Sequence, residues 1–298
     1  MSSVIGFGAL NLDKIYRVDK IPGKDEEGFV RSLELSPGGS AANTIVGLAR
    51  LGIKSGYIGK VGNDAEGRIL LEDLKKEGVE TQAVIRAEGR SGTAIILVDD
   101  AGNRAILVDP GVNDTISYEE IELEFVKKFR VLHLTSFICK NGEDSLKSQK
   151  RIVEEFELVS FDPGMPYAER GLKDMLPLLR RTTIFLPNRI EIEKMFGMDY
   201  RAAAEECLNL GIEIVVVKLG SEGCWVKTSQ KDFSMKPFMV EVVDTTGAGD
   251  AFNAGFLYGY LEGKSLEDCA KFGNYVASLC IQHVGARSGL PSKLPESI

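Results

Sequence analysis

The feature that most narrows what this chain can fold into is the regular succession of strand-like and helix-like stretches along it. Residues 4–9 form a short apolar run, 41–51 read as a helix ended by Gly52, 55–61 as a strand and 65–77 as a helix. Further on, helical 118–128 precedes strand 131–135, helical 143–156 precedes 158–161, and helical 168–179 precedes 183–186, with Gly142 and Pro163-Gly164 as loop punctuation. Strand, helix and strand in succession imply crossovers that make neighbouring strands parallel and cover both sheet faces with helices. The expected class is α/β, a doubly wound and mostly parallel sheet. Two extended stretches interrupt it. Residues 14–37 have no helical period, and Phe29, Arg31, Leu33 and Leu35 fit alternating strands; residues 92–108 read as a hairpin around Asp99-Asp100-Ala101-Gly102-Asn103. They predict a small discontinuous sheet attached to one domain spanning 1–298.

Composition narrows the function classes. With 298 residues, 44% of them hydrophobic, the chain is long enough to bury a large core. It has no run of about eighteen apolar residues and no basic leader before an apolar core, so the expectation is a cytoplasmic protein without a membrane partner. A net charge of −8 opposes nucleic acid, whose binding needs clustered Lys and Arg. A single nucleotide remains compatible, because backbone dipoles and Mg2+ bind phosphates locally. Cys139, Cys207, Cys224, Cys269 and Cys280 are widely spaced and odd in number, which argues against a disulfide framework, and His133 and His283 read as structural.

The stretch 242–256, VVDTTGAGDAFNAGF, carries the chemistry. Val240, Val242 and Val243 suit a strand, and a helix should start near Gly247. Gly247, Ala248 and Gly249 offer flexible backbone at a helix N-terminus whose N–H groups lack internal partners, which makes an anion site. Asp250 in that cradle either complements the helix dipole or accepts a proton from an attacking hydroxyl.

Other candidates sit where strands end, the place at which open α/β sheets bind ligands. Asn11 and Asp13 follow the first strand, as ligand groups or as turn residues. Gly6 and Gly8 begin a dinucleotide fingerprint that fails at Asn11. Gly38 and Gly39 allow close backbone approach, with Asn43 on the helix behind them as a ligand amide or a surface one. Asn188 and Glu191 share a helix face after strand 183–186, in reach of a hydrated Mg2+ or as an ordinary helix start. Lys218, Gly220 and Gly223 follow strand 214–217, at a ligand turn or a plain hairpin, and the last helix, 266–282, carries Asn274.

DTTGAGDAF, GGxxxN at 38–43 and NxxE at 188–191 closely resemble the signatures of the ribokinase-like, or PfkB, carbohydrate kinases, in the order found there. The resemblance covers nearly the whole chain. It implies a ribokinase-like fold with a lid formed by about 14–37 and 92–108, often also a dimer surface. It implies ATP and Mg2+, with room for a monovalent cation such as K+. Asp250 would be the catalytic base and Gly247, Ala248 and Gly249 the anion hole. Asp13, Gly38, Gly39 and Asn43 would meet the acceptor, with Asn11 beside them. Asn188 and Glu191 would serve phosphate and metal; Lys218, Gly220 and Gly223 the nucleotide turn; and Asn274 would lie near adenine. The implied reaction transfers the γ-phosphoryl group of ATP to a hydroxyl of a sugar or sugar-containing small molecule.

The acceptor stays open. Ribokinases usually carry Gly and Lys within the glycine-pair motif, whereas this chain has Ser40 and Ala41, and GGSAAN is similar to nucleoside kinases of the family. Phe161, Asp162, Pro163 and Pro166 resemble ketodeoxygluconate kinases, but Gly164 and Met165 depart from them. Arg17 and Arg104 suit a sugar phosphate, or are solvated. Outside enzymes, a catalytically silent sugar or nucleotide sensor has the same fold.

Overall fold

The computed structural model describes residues 3–295; residues 1–2 and 296–298, which the expected domain 1–298 takes in, lie outside the described residues. In chain order the strands are β1 (Ser3–Phe7), β2 (Asn11–Val18), β3 (Val30–Gly38), β4 (Lys54–Gly62), β5 (Val84–Ala87), β6 (Gly92–Val98), β7 (Arg104–Asp109), β8 (Val131–Thr135), β9 (Leu158–Asp162), β10 (Ile184–Phe185), β11 (Ile214–Lys218), β12 (Cys224–Lys227) and β13 (Asp232–Met235). The helices are α1 (Ser40–Arg50), α2 (Ala65–Lys76), α3 (Leu123–Val126), α4 (Asp144–Ile152), α5 (Gly164–Ala168), α6 (Gly171–Leu179), α7 (Arg189–Phe196), α8 (Tyr200–Asn209), α9 (Ala248–Leu261) and α10 (Leu266–Cys280).

The large sheet of the described residues runs β13-β12-β11-β10-β9-β8-β1-β4-β5, and in it only β12 runs against the other strands, antiparallel to both β11 and β13. Strand side chains alternate between its faces, and each face feeds one core. Val4 and Val216 pack with Ile45, Leu70, Phe256 and Phe272 from α1, α2, α9 and α10. Ile5, Phe7, Val215 and Val217 pack with Ile152, Leu178, Ile192 and Ala203 from α4, α6, α7 and α8. The chain leaves β1 for β4 on one side and returns as β8 on the other. That reversal is the topological switch point, where ligands bind beyond the strand ends. The second sheet, β3-β2-β6-β7, hangs from the end of β1, with β2 and β6 paired in parallel although they come from separate parts of the chain.

Several local expectations need correction. Residues 118–128 do not form one helix but a 3-10 turn, Tyr118–Glu120, and the short α3. Ser117 and Glu120 cap that turn reciprocally, and Ile121 adopts an extended backbone that buries its side chain. Residues 168–179 divide into α5 and α6 at Gly171, whose φ of 77° no α-helix accommodates. Pro163-Gly164 is the start of α5 rather than a loop. Val240, Val242 and Val243 are not in a strand; Val242 and Val243 are exposed, and the Val243 N–H donates to the Ile281 carbonyl instead of a ladder. Asn11 and Asp13 lie not in a turn but in the first residues of lid strand β2. Gly6 and Gly8 are packing residues: a Cβ at Gly6 would press on Ile45, and one at Gly8 on Thr135 and Ala41.

Candidate active site

Asp250 is reached from the opposite end of the chain. Gly247 is the N-cap of α9, and its φ of 77° and contact with Ala286 leave no room for a side chain. Ala248, Gly249 and Asp250 therefore form the first helical turn. Gly39 is the N-cap of α1, with φ 108°, where a Cβ would overlap the Ala9 carbonyl oxygen. The two helix starts face one another. Ser40 Oγ donates to Asp250 Oδ1 at 2.6 Å and Asn43 Nδ2 donates to Oδ2 at 2.8 Å. Burial pushes the Asp250 carboxyl up to about 6, against the pull of Ser40 and Asn43. An acid in this range is ionised at neutral pH yet basic enough to take a proton.

Asp13 lies against Gly38; a Cβ there would stand 2.9 Å from Asp13 Oδ2. Burial raises its carboxyl to about 6, opposed by the charge of Arg287. Asn11 is committed locally, its Oδ1 accepting from Asn113 Nδ2 at 2.9 Å.

A third group lies at the ends of β9 and β11. Lys218 Nζ donates to Asp162 Oδ2 at 2.6 Å and to Asn253 Oδ1 at 3.3 Å, and Asn253 Nδ2 donates to the same Asp162 oxygen at 2.6 Å. Burial opposes the Lys218 ammonium, but Asp162 and Glu191 outweigh it and raise its pKa above the usual value. A Cβ placed on Gly249 would be 3.4 Å from Nζ, so this cation lies directly beside the glycine turn.

Asn188 and Glu191 cap α7 reciprocally: Asn188 Oδ1 accepts from the Glu191 N–H at 2.9 Å, and Glu191 Oε2 accepts from the Asn188 N–H at 2.8 Å. Glu191 differs from an ordinary cap in being buried and close to Asp162. Burial, then the Asp162 charge, raises it to about 7. No group of three or more His, Cys, Asp or Glu side chains able to hold a metal occurs among the described residues. Mg2+, however, uses one or two carboxylates and fills its other positions with water and phosphate oxygens. An under-solvated carboxylate near a second one fits that demand.

Lys218, Gly220, Gly223, Ala248, Gly249 and Asn274 line one cavity of about 380 Å³, with Phe238 and Ile281 among its apolar walls. Asn274 shapes it from behind, donating to the Met235 and Lys236 carbonyls at 3.1 and 3.0 Å. Gly220 and Gly223 occupy a tight connection from β11 to its antiparallel neighbour β12, so the turn is a hairpin and a cavity wall at once. His133 is buried with Nδ1 3.1 Å from Ser160 Oγ, and burial lowers its pKa to about 4. Arg17 and Arg104 are exposed, Arg104 close enough to Asp244 to favour that carboxylate.

Ser40, Asp162, Asn253 and Arg287 belong to this site without having been assigned to it from the sequence. One signal was there: Asn253 lies one turn after Asp250 and shares its helix face.

A family model described as pfkB family carbohydrate kinase matches residues 1–293. The chain is 68% identical over 246 residues to a protein of Archaeoglobus fulgidus described as an "Uncharacterized sugar kinase", covering 83% of this chain and 98% of that one. It is 34% identical over 290 residues to the ATP-dependent ribose-1-phosphate kinase of Halopiger xanaduensis, covering 97% and 95%. Among solved structures, Arabidopsis thaliana ribokinase complexed with ribose and ATP is similar at TM-score 0.84 and 27% identity, over 98% of this chain and 96% of that one.

Proposed function

The chain belongs to the pfkB family of carbohydrate kinases and is an ATP-dependent sugar phosphotransferase, and on that premise we propose that Asp250 is its base and the α9 N-terminus its anion hole. The acceptor hydroxyl oxygen attacks the γ-phosphorus of ATP, its proton passes to the Asp250 carboxylate, and the bond to the bridging oxygen breaks to release ADP. The observation that carries this assignment is the clamp on Asp250: Ser40 and Asn43 hold both carboxylate oxygens at one defined place beside the phosphate cradle. Positioning of this kind is most of what phosphoryl transfer asks of a protein.

The same reading gives the neighbouring residues their parts. The N–H groups of Gly247, Ala248 and Gly249 receive the transferring phosphoryl group, and Lys218 supplies a cation beside them. Asp13, Gly38, Gly39 and Asn43 hold the acceptor, Asp13 accepting from its hydroxyls; Asn11 braces them through Asn113. Gly220, Gly223 and Asn274 enclose the nucleotide. Asn188 positions Glu191, which would hold hydrated Mg2+; when bound, that ion neutralises charge on the phosphates. A monovalent cation such as K+ belongs to the proposal, to be tested by comparing turnover in K+ and in a bulky organic cation.

The chain acts as one domain, 1–298, with lid 14–37 and 92–108, in the cytoplasm and without nucleic acid; the net charge of −8 supports the last point. No helix among the described residues is long and apolar enough to cross a membrane. The acceptor is a free sugar or, as a second reading carried by the likeness to ribose-1-phosphate kinase, a sugar phosphate. The test is ADP formation with MgATP and a panel of ribose, ribose 1-phosphate, fructose, ketodeoxygluconate, adenosine and cytidine. One or a few acceptors should raise turnover far above ATP hydrolysis alone. Binding of a panel member without any acceptor-dependent transfer would contradict the assignment of Asp250 as a working base.

A further inference from the structure

Arg287 lies beyond α10, in a segment to which the reaction above gives no part. Its Nε donates to Asn43 Oδ1 at 2.8 Å, its Nη1 pairs with Asp73 of α2, and its side chain is only 10% exposed. The Arg287 carbonyl accepts from Arg50 Nη1 at 2.7 Å, and Arg50 is gripped by both carboxylate oxygens of Glu77 at 2.8 Å. The guanidinium is thus fixed from two helices.

An asparagine amide has one donating end and one accepting end. Ionised Asp250 only accepts, so it needs Nδ2; Arg287 only donates, so it needs Oδ1. Asn43 stands between them and satisfies both in a single orientation. We propose that Arg287 is a positioning residue for phosphoryl transfer, locking the Asn43 amide so that Nδ2 is always presented to Asp250. Its charge has a second effect, since it also favours the ionised form of Asp13. The charged and titratable groups that face it are Asp13 from β2, Arg50 from α1, Tyr57 from β4, and Asp73 and Glu77 from α2, with Asp250 of α9 on the other side of Asn43. The inference rests on the reading of Asp250 as base.

The experiment compares wild type, Arg287→Met, Arg287→Lys, Asn43→Ala, Asn43→Ala/Arg287→Met and Asp250→Asn, with MgATP and ribose 1-phosphate, or ribose if wild type turns it over faster. Arg287→Met should lower kcat about 10²-fold, the usual loss when a reacting group is slightly misplaced, with the KM for ATP unchanged. It should also move the acid limb of kcat/KM to higher pH, because Asp13 loses a favourable charge. Arg287→Lys should keep that limb, since the charge remains, but still lose about tenfold in kcat because a point charge does not reproduce the guanidinium fork. Combined with Asn43→Ala, Arg287→Met should cost no more than about twofold further, because coupled residues are not additive. Wild-type kcat and an unmoved acid limb in Arg287→Met, or full additivity with Asn43→Ala, would overturn the inference, whatever the melting temperature. If Arg287→Met does not fold, wild-type kcat in Arg287→Lys overturns it. Slow Asp250→Asn beside fast Arg287→Met defeats the inference alone; fast Asp250→Asn defeats the base reading and the inference with it.

Discussion

Glu191 sets two demands of one carboxylate against each other. As half of a reciprocal cap it should stabilise α7, yet its burial near Asp162 raises it to about 7, which means that the ionised form is strained in the fold. For a carboxyl whose folded pKa is above its unfolded value, stability is lost as pH rises through the folded pKa. Glu191→Gln keeps the shape and removes the titration. We expect it to melt higher than wild type at pH 8, with the gain fading as pH falls below about 7, and to weaken turnover at low Mg2+ more than acceptor affinity. Wild-type rates across a magnesium titration would leave Glu191 as a helix cap only. At this scale the sequence was legible wherever chemistry is local. The cap, the glycine turn and Asp250 each lie within a few residues of their context. Asp162 with Asn253, 91 residues apart, and Arg287 with Asn43, 244 apart, were not legible, because one chain carries no mark of which distant polar groups will meet.

Between β3 and α1, Gly39 settles how the lid joins the main domain. Its left-handed backbone and its approach to the Ala9 carbonyl let β3 end and α1 begin within two residues, bringing Ser40 and Asn43 to Asp250. Gly39→Ala combines backbone strain with a steric overlap, so a loss of about 1–3 kcal/mol of stability is expected, measured by denaturant unfolding. Turnover should fall further than stability explains, since α1 carries Ser40 and Asn43, which hold the proposed base Asp250. An unchanged midpoint and rate would show that the junction tolerates a side chain. The elements themselves were legible where a short, mostly apolar run is buried on both faces, as in β8, β9 and β11. They were not where a short segment is broken by one conformation, Ile121 dividing 118–128 and Gly171 dividing 168–179, nor in β5, whose four residues are too few to show alternation.

At the scale of the whole molecule, the lid leaves apolar side chains uncovered at both edges of one of its faces, Leu33 and Leu35 on β3 and Leu107 on β7, whose register aligns it with Leu35. Patches like this mark contact surfaces, and the proposed partner is a second copy of the chain. Sedimentation at micromolar concentration should give a dimer that Leu33→Glu converts to monomer; a monomeric wild type would remove that proposal. The central claim concerns how the fold joins its ends, since Ser40 and Asp250, 210 residues apart, meet at the switch point, where Asp250 is the proposed base. Asp250→Asn tests it most directly, with turnover, nucleotide affinity and melting temperature read on one preparation. The Asn side chain can still bond Ser40 and Asn43, and removal of a carboxylate whose pKa burial raises to about 6 relieves strain above that pH. The account therefore predicts an unchanged or higher melting temperature at pH 8, nucleotide affinity equal or tighter, and turnover lowered by roughly 10²–10⁴-fold. Wild-type turnover with a stability loss of about 0.3–1 kcal/mol, the signature of a carboxylate that only complements the helix dipole, would contradict it.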